Sequence, residues 1–277
     1  MASSGYHEGD WYKSSKDIQG ILLDISGVLY NSSDDGGVAI PGSVQAVNRL
    51  KSAGLKVRFC TNETLCTRQV LVTKLTKLGF DIKMEEVFSP IPAVCHVLRQ
   101  QNLIPHLLVH TDALPDFGDL ASSKASPTCV VIGDCASQFT YDNLNNAFRV
   151  LINMEKPALI ALGRGKYYKD GGQLNLDVGS FMKVLEYACG CQATVVGKPA
   201  ESFFMAALND MGVPPDKAVM IGDDIVNDIG GAQACGIRGL QVRTGKYRPS
   251  DEQHPEVRPA GYVDNLADAV DLLLSNR

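Results

Sequence analysis

Long apolar runs are missing from this sequence, and so are blocks of a single charge. No stretch approaches the roughly 20 consecutive apolar residues that a membrane-spanning helix requires, and the N-terminus lacks the apolar core of a signal peptide. No cluster of Lys and Arg stands out in a chain of net charge −5, which argues against a nucleic-acid or anionic-membrane surface. Cys-x-x-Cys is absent. The eight cysteines are scattered, and Cys60, Cys129 and Cys235 sit in apolar stretches where a thiol acts as a small hydrophobe. Free thiols in a reducing, cytoplasmic compartment are therefore expected. Gly-Lys occurs at 165–166, 197–198 and 245–246, never followed by Ser or Thr, so a P-loop is excluded. His106 and His110 flank a short apolar segment with no evident third ligand, which argues against zinc. Neither a G-x-S-x-G elbow nor a Cys–His nucleophile arrangement is visible.

What is present is rhythm. The 277 residues suffice for two domains, or for one with a large insertion. Residues 1–17 are polar and aperiodic, a tail. "QGILLD" then predicts a strand buried on both faces, and "PGSVQAVNRLKSAG" a helix with Val44, Val47 and Leu50 on one side. "LKVRFC" predicts the next strand, and "TRQVLVTKLTKLGF" a helix carrying Leu71, Leu75 and Leu78. Strands at "HLLVH", "TCVVIGD" and "PALIALG" alternate with helices around 91–101, "YDNLNNAFRVLIN" and "VGSFMKVLEYACG". The final third predicts strands "ATVVG", "KAVMIGD" and "IRGLQV" between helices "ESFFMAALNDMG", "NDIGGAQACG" and one with Leu266, Val270 and Leu273. "GRGKYYKDGG" is taken as a loop. Apolar strands alternating with helices imply an α/β protein with a doubly wound, mostly parallel, Rossmann-like sheet.

Ligands of such sheets bind beyond the carboxyl ends of the strands. The first strand delivers Asp24 there, the second Thr61 and Asn62, "ATVVG" delivers Lys198, and "AVMIG" delivers Asp223 and Asp224, with Asp228 a turn later. Each ending taken singly is an ordinary cap or turn; together, in this order, they suit phosphoryl transfer. A carboxylate can attack phosphorus, and a cation must lie between it and the phosphate dianion. Magnesium prefers hard oxygens and keeps several waters; Asp24, Asp223 and the backbone carbonyl near Ser26 can supply them. The Thr61 hydroxyl and Asn62 amide can donate to phosphoryl oxygens, and Lys198 can offset developing charge.

This pattern resembles the haloacid dehalogenase (HAD) superfamily of phosphohydrolases over nearly the whole chain beyond the tail. The resemblance implies a HAD-like core at 18–90 and 194–277, with an inserted α/β type II cap at 91–193, as in its NagD-like and 4-nitrophenylphosphatase branch. It implies Asp24 as nucleophile, Thr61, Asn62 and Glu63 in substrate binding, Lys198 as the third-motif cation, and Asp223 and Asp228 as the fourth-motif acids. "LLDISGVLY", "KVRFCTNE", "VVGKP", "AVMIGDDIVND" and "RPSDEQHPEV" further resemble a branch acting on P–N bonds and pyrophosphate, in the cytosol or nucleus, as a homodimer.

One expected residue is missing. Most phosphatases of the superfamily carry a second aspartate two positions after the nucleophile, as general acid and base; here it is Ser26, whose hydroxyl is a poor proton donor at neutral pH. The substrates then need little acid help: phosphate is a weaker base than an alkoxide, and a P–N bond can break with nitrogen already protonated. Small phosphoryl compounds and phosphohistidine or phospholysine proteins both fit. A small-metabolite or sugar phosphatase, and a phosphoprotein-binding scaffold with weak catalysis, are the alternatives. Asp224 is open to two readings, a base that orients water or a support behind the site, and Asp228 is assigned to support.

Overall fold

The computed structural model describes residues 16–33 and 36–275, so most of the tail expected over 1–17 lies outside the described residues. In chain order the strands are β1 (Gly20–Leu23), β2 (Tyr30–Asn31), β3 (Val38–Ala39), β4 (Lys56–Cys60), β5 (Val87–Phe88), β6 (Pro105–Leu108), β7 (Cys129–Ile132), β8 (Leu159–Ala161), β9 (Tyr167–Asp170), β10 (Gln173–Leu176), β11 (Thr194–Val195), β12 (Ala218–Gly222), β13 (Arg238–Val242) and β14 (Gly261–Val263). The α-helices are α1 (Ser43–Ser52), α2 (Arg68–Lys77), α3 (Pro90–Gln100), α4 (Tyr141–Ile152), α5 (Val178–Cys189), α6 (Glu201–Met211), α7 (Gly231–Ala234) and α8 (Leu266–Leu274).

Two all-parallel sheets result, β14-β13-β12-β1-β4-β5 and β11-β8-β7-β6. In the larger, Leu23 of β1 stands opposite Ile221 of β12 and Phe59 of β4, so the ends of these three strands are level. Side chains alternate between faces. Ile21 and Leu23 pack with Val47 and Leu50 of α1, Leu75 of α2 and Val270 of α8, whereas Leu22 packs with Phe204 and Leu208 of α6 on the opposite face. Both faces are covered, which is why β1 is apolar without alternation.

The smaller sheet repeats this plan. Val131 and Ile160 pack with Ile91, Val94 and Leu98 of α3, and Val130 and Ile132 with Leu151 of α4 and Met182 and Leu185 of α5. None of the described helices is long and apolar enough to cross a membrane.

Three local expectations are corrected. "ATVVG" does not join the larger sheet: Thr194 and Val195 pair with Ile160 and Ala161 of β8. The chain thus returns to the larger sheet after Val196, whose side chain still packs in the smaller sheet's core, and not at 194. "NDIGGAQACG" is not one α-helix but a π-helical turn, Ile225–Gly230, running into the single turn of α7. "GRGKYYKDGG" is no plain loop: β9 and β10 form an antiparallel hairpin, Tyr167 opposite Leu176. Its signals are short: β10 alternates Gln173, Leu174, Asn175 and Leu176 over only four residues, all exposed, after the Gly171-Gly172 turn at positive φ.

Candidate active site

The level ends of β1, β4 and β12 bring the distant carboxylates and lysine together. Asp24, directly after β1, anchors its backbone N–H on Ile221 O at 2.9 Å. Lys198 Nζ donates to Asp24 Oδ1 at 2.6 Å and to Cys60 O at 2.8 Å, and lies 2.7 Å from Asp228 Oδ1. All three charged side chains are buried. Burial opposes charge on Lys198, but the Asp228 and Asp24 carboxylates outweigh it and hold the ammonium protonated.

Asp24, Asp223 and Asp228 each offer an oxygen within 4.8 Å of the others, the one such group of potential metal ligands among the described residues. Asp223 Oδ2 accepts the Lys246 N–H at 2.8 Å, while Asp223 Oδ1 is buried with no hydrogen-bond partner. Burial, with Asp24 and Asp228 nearby, raises the Asp223 pKa. An orphaned carboxylate oxygen among three acids and one ammonium suits a hard divalent cation. Two glycines make room for the Asp223 carboxylate: Gly27 and Gly245 have φ of +85° and +62°, and a Cβ on either would stand 2.3 or 2.0 Å from Asp223 Oδ2. Asp228 is less available to a metal. Its Oδ1 faces Lys198, its Oδ2 accepts the Asp224 N–H at 3.1 Å, and burial beside Asp24 pushes its pKa up to about 7.

Thr61 is buried at the end of β4, and its hydroxyl accepts the Glu63 N–H at 3.0 Å, leaving its own proton free to donate into the site. Asn62 has a partner that the sequence does not announce. Its Oδ1 accepts the Lys198 N–H and its Nδ2 donates to the Lys198 carbonyl, both at 2.8 Å. This amide is a clamp that places Lys198. Glu63 Oε1 accepts the Leu65 N–H at 2.6 Å, and burial, only partly offset by that bond and by Lys74, raises its pKa. Ser26 stands beside Asp24 with its hydroxyl 3.3 Å from that of Ser32.

For Asp224 the geometry chooses between the two readings. Oδ1 accepts the Val226 and Asn227 N–H groups, both at 2.9 Å; Oδ2 accepts Asn227 Nδ2 at 2.6 Å and lies 3.0 Å from Lys246 Nζ. It caps the π-helical turn, and its oxygens are taken. Burial works against its charge, yet Lys246 and these donors bring its pKa down to about 2, too weak a base to activate water.

A cavity of about 540 Å³ opens over these groups, lined by Asp24, Thr61 and Asp223 at strand ends of the larger sheet, by Lys198, and by Tyr168 and Asp170 from the hairpin. A wider cleft of about 1050 Å³ adjoins it past Asp223 and Asp224, between Arg164 and Lys183 on one wall and Arg248 and His254 on the other. Thr64 Oγ1 accepts the Asp134 N–H at 2.9 Å, tying the smaller sheet down over the site.

Comparison with known proteins agrees with this geometry. A haloacid dehalogenase-like hydrolase family model matches residues 21–115, and a second HAD-hydrolase-like model matches 195–269. The chain is 59% identical to the phospholysine phosphohistidine inorganic pyrophosphate phosphatase of Danio rerio, over 95% of this chain and 96% of that one. The chain belongs to the haloacid dehalogenase-like hydrolases. The Homo sapiens protein of the same name is 58% identical, over 96% of this hydrolase and 98% of the relative. In fold, the hydrolase matches 4-nitrophenylphosphatase from Thermotoga maritima (TM-score 0.81, 24% identity, 93% of this chain and 98% of that). It also matches NagD from E. coli K-12 (TM-score 0.76, 23% identity, 91% and 98%).

Several residues of the hydrolase's site were not singled out from the sequence. Lys246 was set aside with its Gly-Lys pair, yet it pairs with Asp224 and its backbone holds Asp223. It follows β13, so the strand-end argument that found Asp24 applied to it as well. Asp134 follows β7 in "TCVVIGD" as Asp223 follows β12 in "KAVMIGD", so the strand-end signal is present there too; Asp177 ends no apolar strand and lines the cavity only because the smaller sheet folds over it.

Proposed function

We propose that the hydrolase cleaves P–N bonds, in phosphohistidine and phospholysine, and inorganic pyrophosphate, through an aspartyl-phosphate on Asp24. The observation that carries this reading is a buried carboxylate, Asp24, held by Lys198, with a hydroxyl, Ser26, at the position where an acid would protonate the leaving group. The printed name of the relatives supports the same substrates for this chain.

In the first step an Asp24 oxygen forms the bond to phosphorus and the bond to nitrogen or bridging oxygen breaks, its electron pair leaving with that atom. Water then attacks the aspartyl-phosphate, releasing phosphate and restoring the Asp24 carboxylate. Lys198 holds Asp24 in place and offsets charge on the phosphoryl oxygens; the Thr61 hydroxyl donates to one of them. Magnesium is the metal of this reading: the Asp24 and Asp223 carboxylates and the Ser26 backbone carbonyl would hold it, and it would neutralise charge between nucleophile and phosphate dianion.

The reading extends to a homodimer in the cytosol or nucleus. Free thiols at all eight cysteines support a reducing compartment, and Tyr141 of α4 and Tyr187 of α5, 82% and 94% exposed, support a contact through the cap.

The test is turnover of pyrophosphate, phosphoramidate and an alkyl phosphomonoester side by side. Pyrophosphate and phosphoramidate should be the faster substrates; preference for the alkyl ester would mean that leaving-group basicity is not what the Ser26 position selects. Asp24→Asn should lose turnover on all three.

A further inference from the structure

Four lysines line the active cavity, and they are not equivalent. Lys198 is committed to Asp24 and Asp228, and Lys246 to Asp224. Lys169 stands exposed on the hairpin. Lys74, on α2, is half-buried and takes part in none of the ion pairs among the described residues. It is nonetheless held in one place. Its Nζ donates to Tyr30 Oη at 3.2 Å and lies 4.4 Å from the centre of the Tyr30 ring. Tyr30 is itself buried in the core beneath β1, so the ammonium has a rigid platform.

A fixed cation without a carboxylate partner, in a cavity that closes over a nucleophile, is a pre-organised anion contact. It shares the cavity wall with the Ser26 and Ser32 hydroxyls, 3.3 Å apart, which can also donate to anionic oxygens. The phosphoryl group being transferred already has Lys198 and Thr61. Glu63, whose carboxyl feels the Lys74 ammonium, has its pKa raised by burial, and burial pushes Asp134 up to about 7, so these walls cancel less of the charge than their number suggests.

We infer that Lys74, held by Tyr30, is the specificity-determining contact for an anionic leaving group, the second phosphate of pyrophosphate, and that P–N substrates do not use it. The inference rests on pyrophosphate being a substrate. An imidazole or amine leaving group carries no negative charge and gains nothing from an ammonium; a departing phosphate keeps the contact from ground state to product.

The experiment replaces Lys74 by Met, which keeps the stem on the Tyr30 ring, by Gln as a second neutral side chain, and by Arg, which restores the charge. Steady-state kinetics on pyrophosphate and phosphoramidate give the ratio of their kcat/KM values, and phosphoramidate turnover reports an intact fold. A lost hydrogen bond to a charged group predicts a fall in that ratio of about tenfold or more for Lys74→Met and Lys74→Gln, carried mainly by KM for pyrophosphate. Lys74→Arg should keep the ratio near wild type. An unchanged ratio in a neutral variant that still turns over phosphoramidate overturns the inference and leaves the proposed function standing. Equal losses on both substrates overturn it too, because they assign Lys74 to the shared chemistry. A wild type inert on pyrophosphate overturns both.

Discussion

Replacing Lys198 by Met removes an ammonium and leaves its volume. Asp24 Oδ1 at 2.6 Å, Asp228 Oδ1 at 2.7 Å and the Cys60 carbonyl at 2.8 Å all lose their partner. Water cannot replace it freely, since Lys198 is 3% exposed, Asp24 7% and Asp228 1%. With Asp223 beside them, three carboxylates then face one another without a cation. Removing one member of a buried ion pair costs about 3–5 kcal/mol. At roughly 2–4 °C per kcal/mol for a chain of this size class, the thermal midpoint should fall by roughly 10 °C in metal-free buffer. The assay is thermal unfolding of wild type, Lys198→Met and Lys198→Met/Asp228→Asn. Asp228→Asn removes one of the stranded charges, so the double variant should recover part of the loss. Arg49→Ala, which breaks an exposed pair with Asp271, is the contrast and should cost no more than about 0.5 kcal/mol. A Lys198→Met midpoint within 2 °C of wild type, against the roughly 10 °C expected, would refute the claim that buried charge balance holds this site.

Three further outcomes are expected. Gly245→Ala should abolish turnover, because a Cβ there meets Asp223 Oδ2 at 2.0 Å from a backbone at φ +62°; kinetics with circular dichroism as a fold control check it. Asp224→Ala should lower unfolding free energy by about 3 kcal/mol or more, measured by urea denaturation, because it removes the cap on Ile225–Gly230 and leaves Lys246 without its buried carboxylate partner. Chelation should stop phosphoramidate and pyrophosphate turnover and magnesium should restore it; full activity in excess chelator would remove the metal from the reading of Asp24, Asp223 and Asp228.

Much of the candidate site is legible in the sequence. Asp24, Thr61, Asp223 and Lys198 were found because apolar strands ending in polar groups mark the carboxyl edge of a parallel sheet, and three of the four do follow such strands. Lys198 was found for a partly mistaken reason. The strand before it belongs to the smaller sheet, and its place is due to the Asn62 clamp on its backbone. The Asn62 clamp on the Lys198 backbone is not legible, because a side-chain amide looks the same in sequence whether it meets substrate or backbone. Lys74 is invisible for a related reason: nothing local distinguishes a surface lysine on an amphipathic helix from one laid over a buried tyrosine.

By itself the order of residues determined the strand-and-helix alternation, the carboxylate at the end of β1 and the serine two positions on, since these depend on short-range pattern and on the identity of single residues. Only the tertiary structure decided which lysines are neutralised, which carboxylate oxygen is left without a partner, and what lines the far wall of the cavity. Those properties belong to pairs of groups far apart in sequence, and burial sets their strength; neither exists until the two sheets have packed.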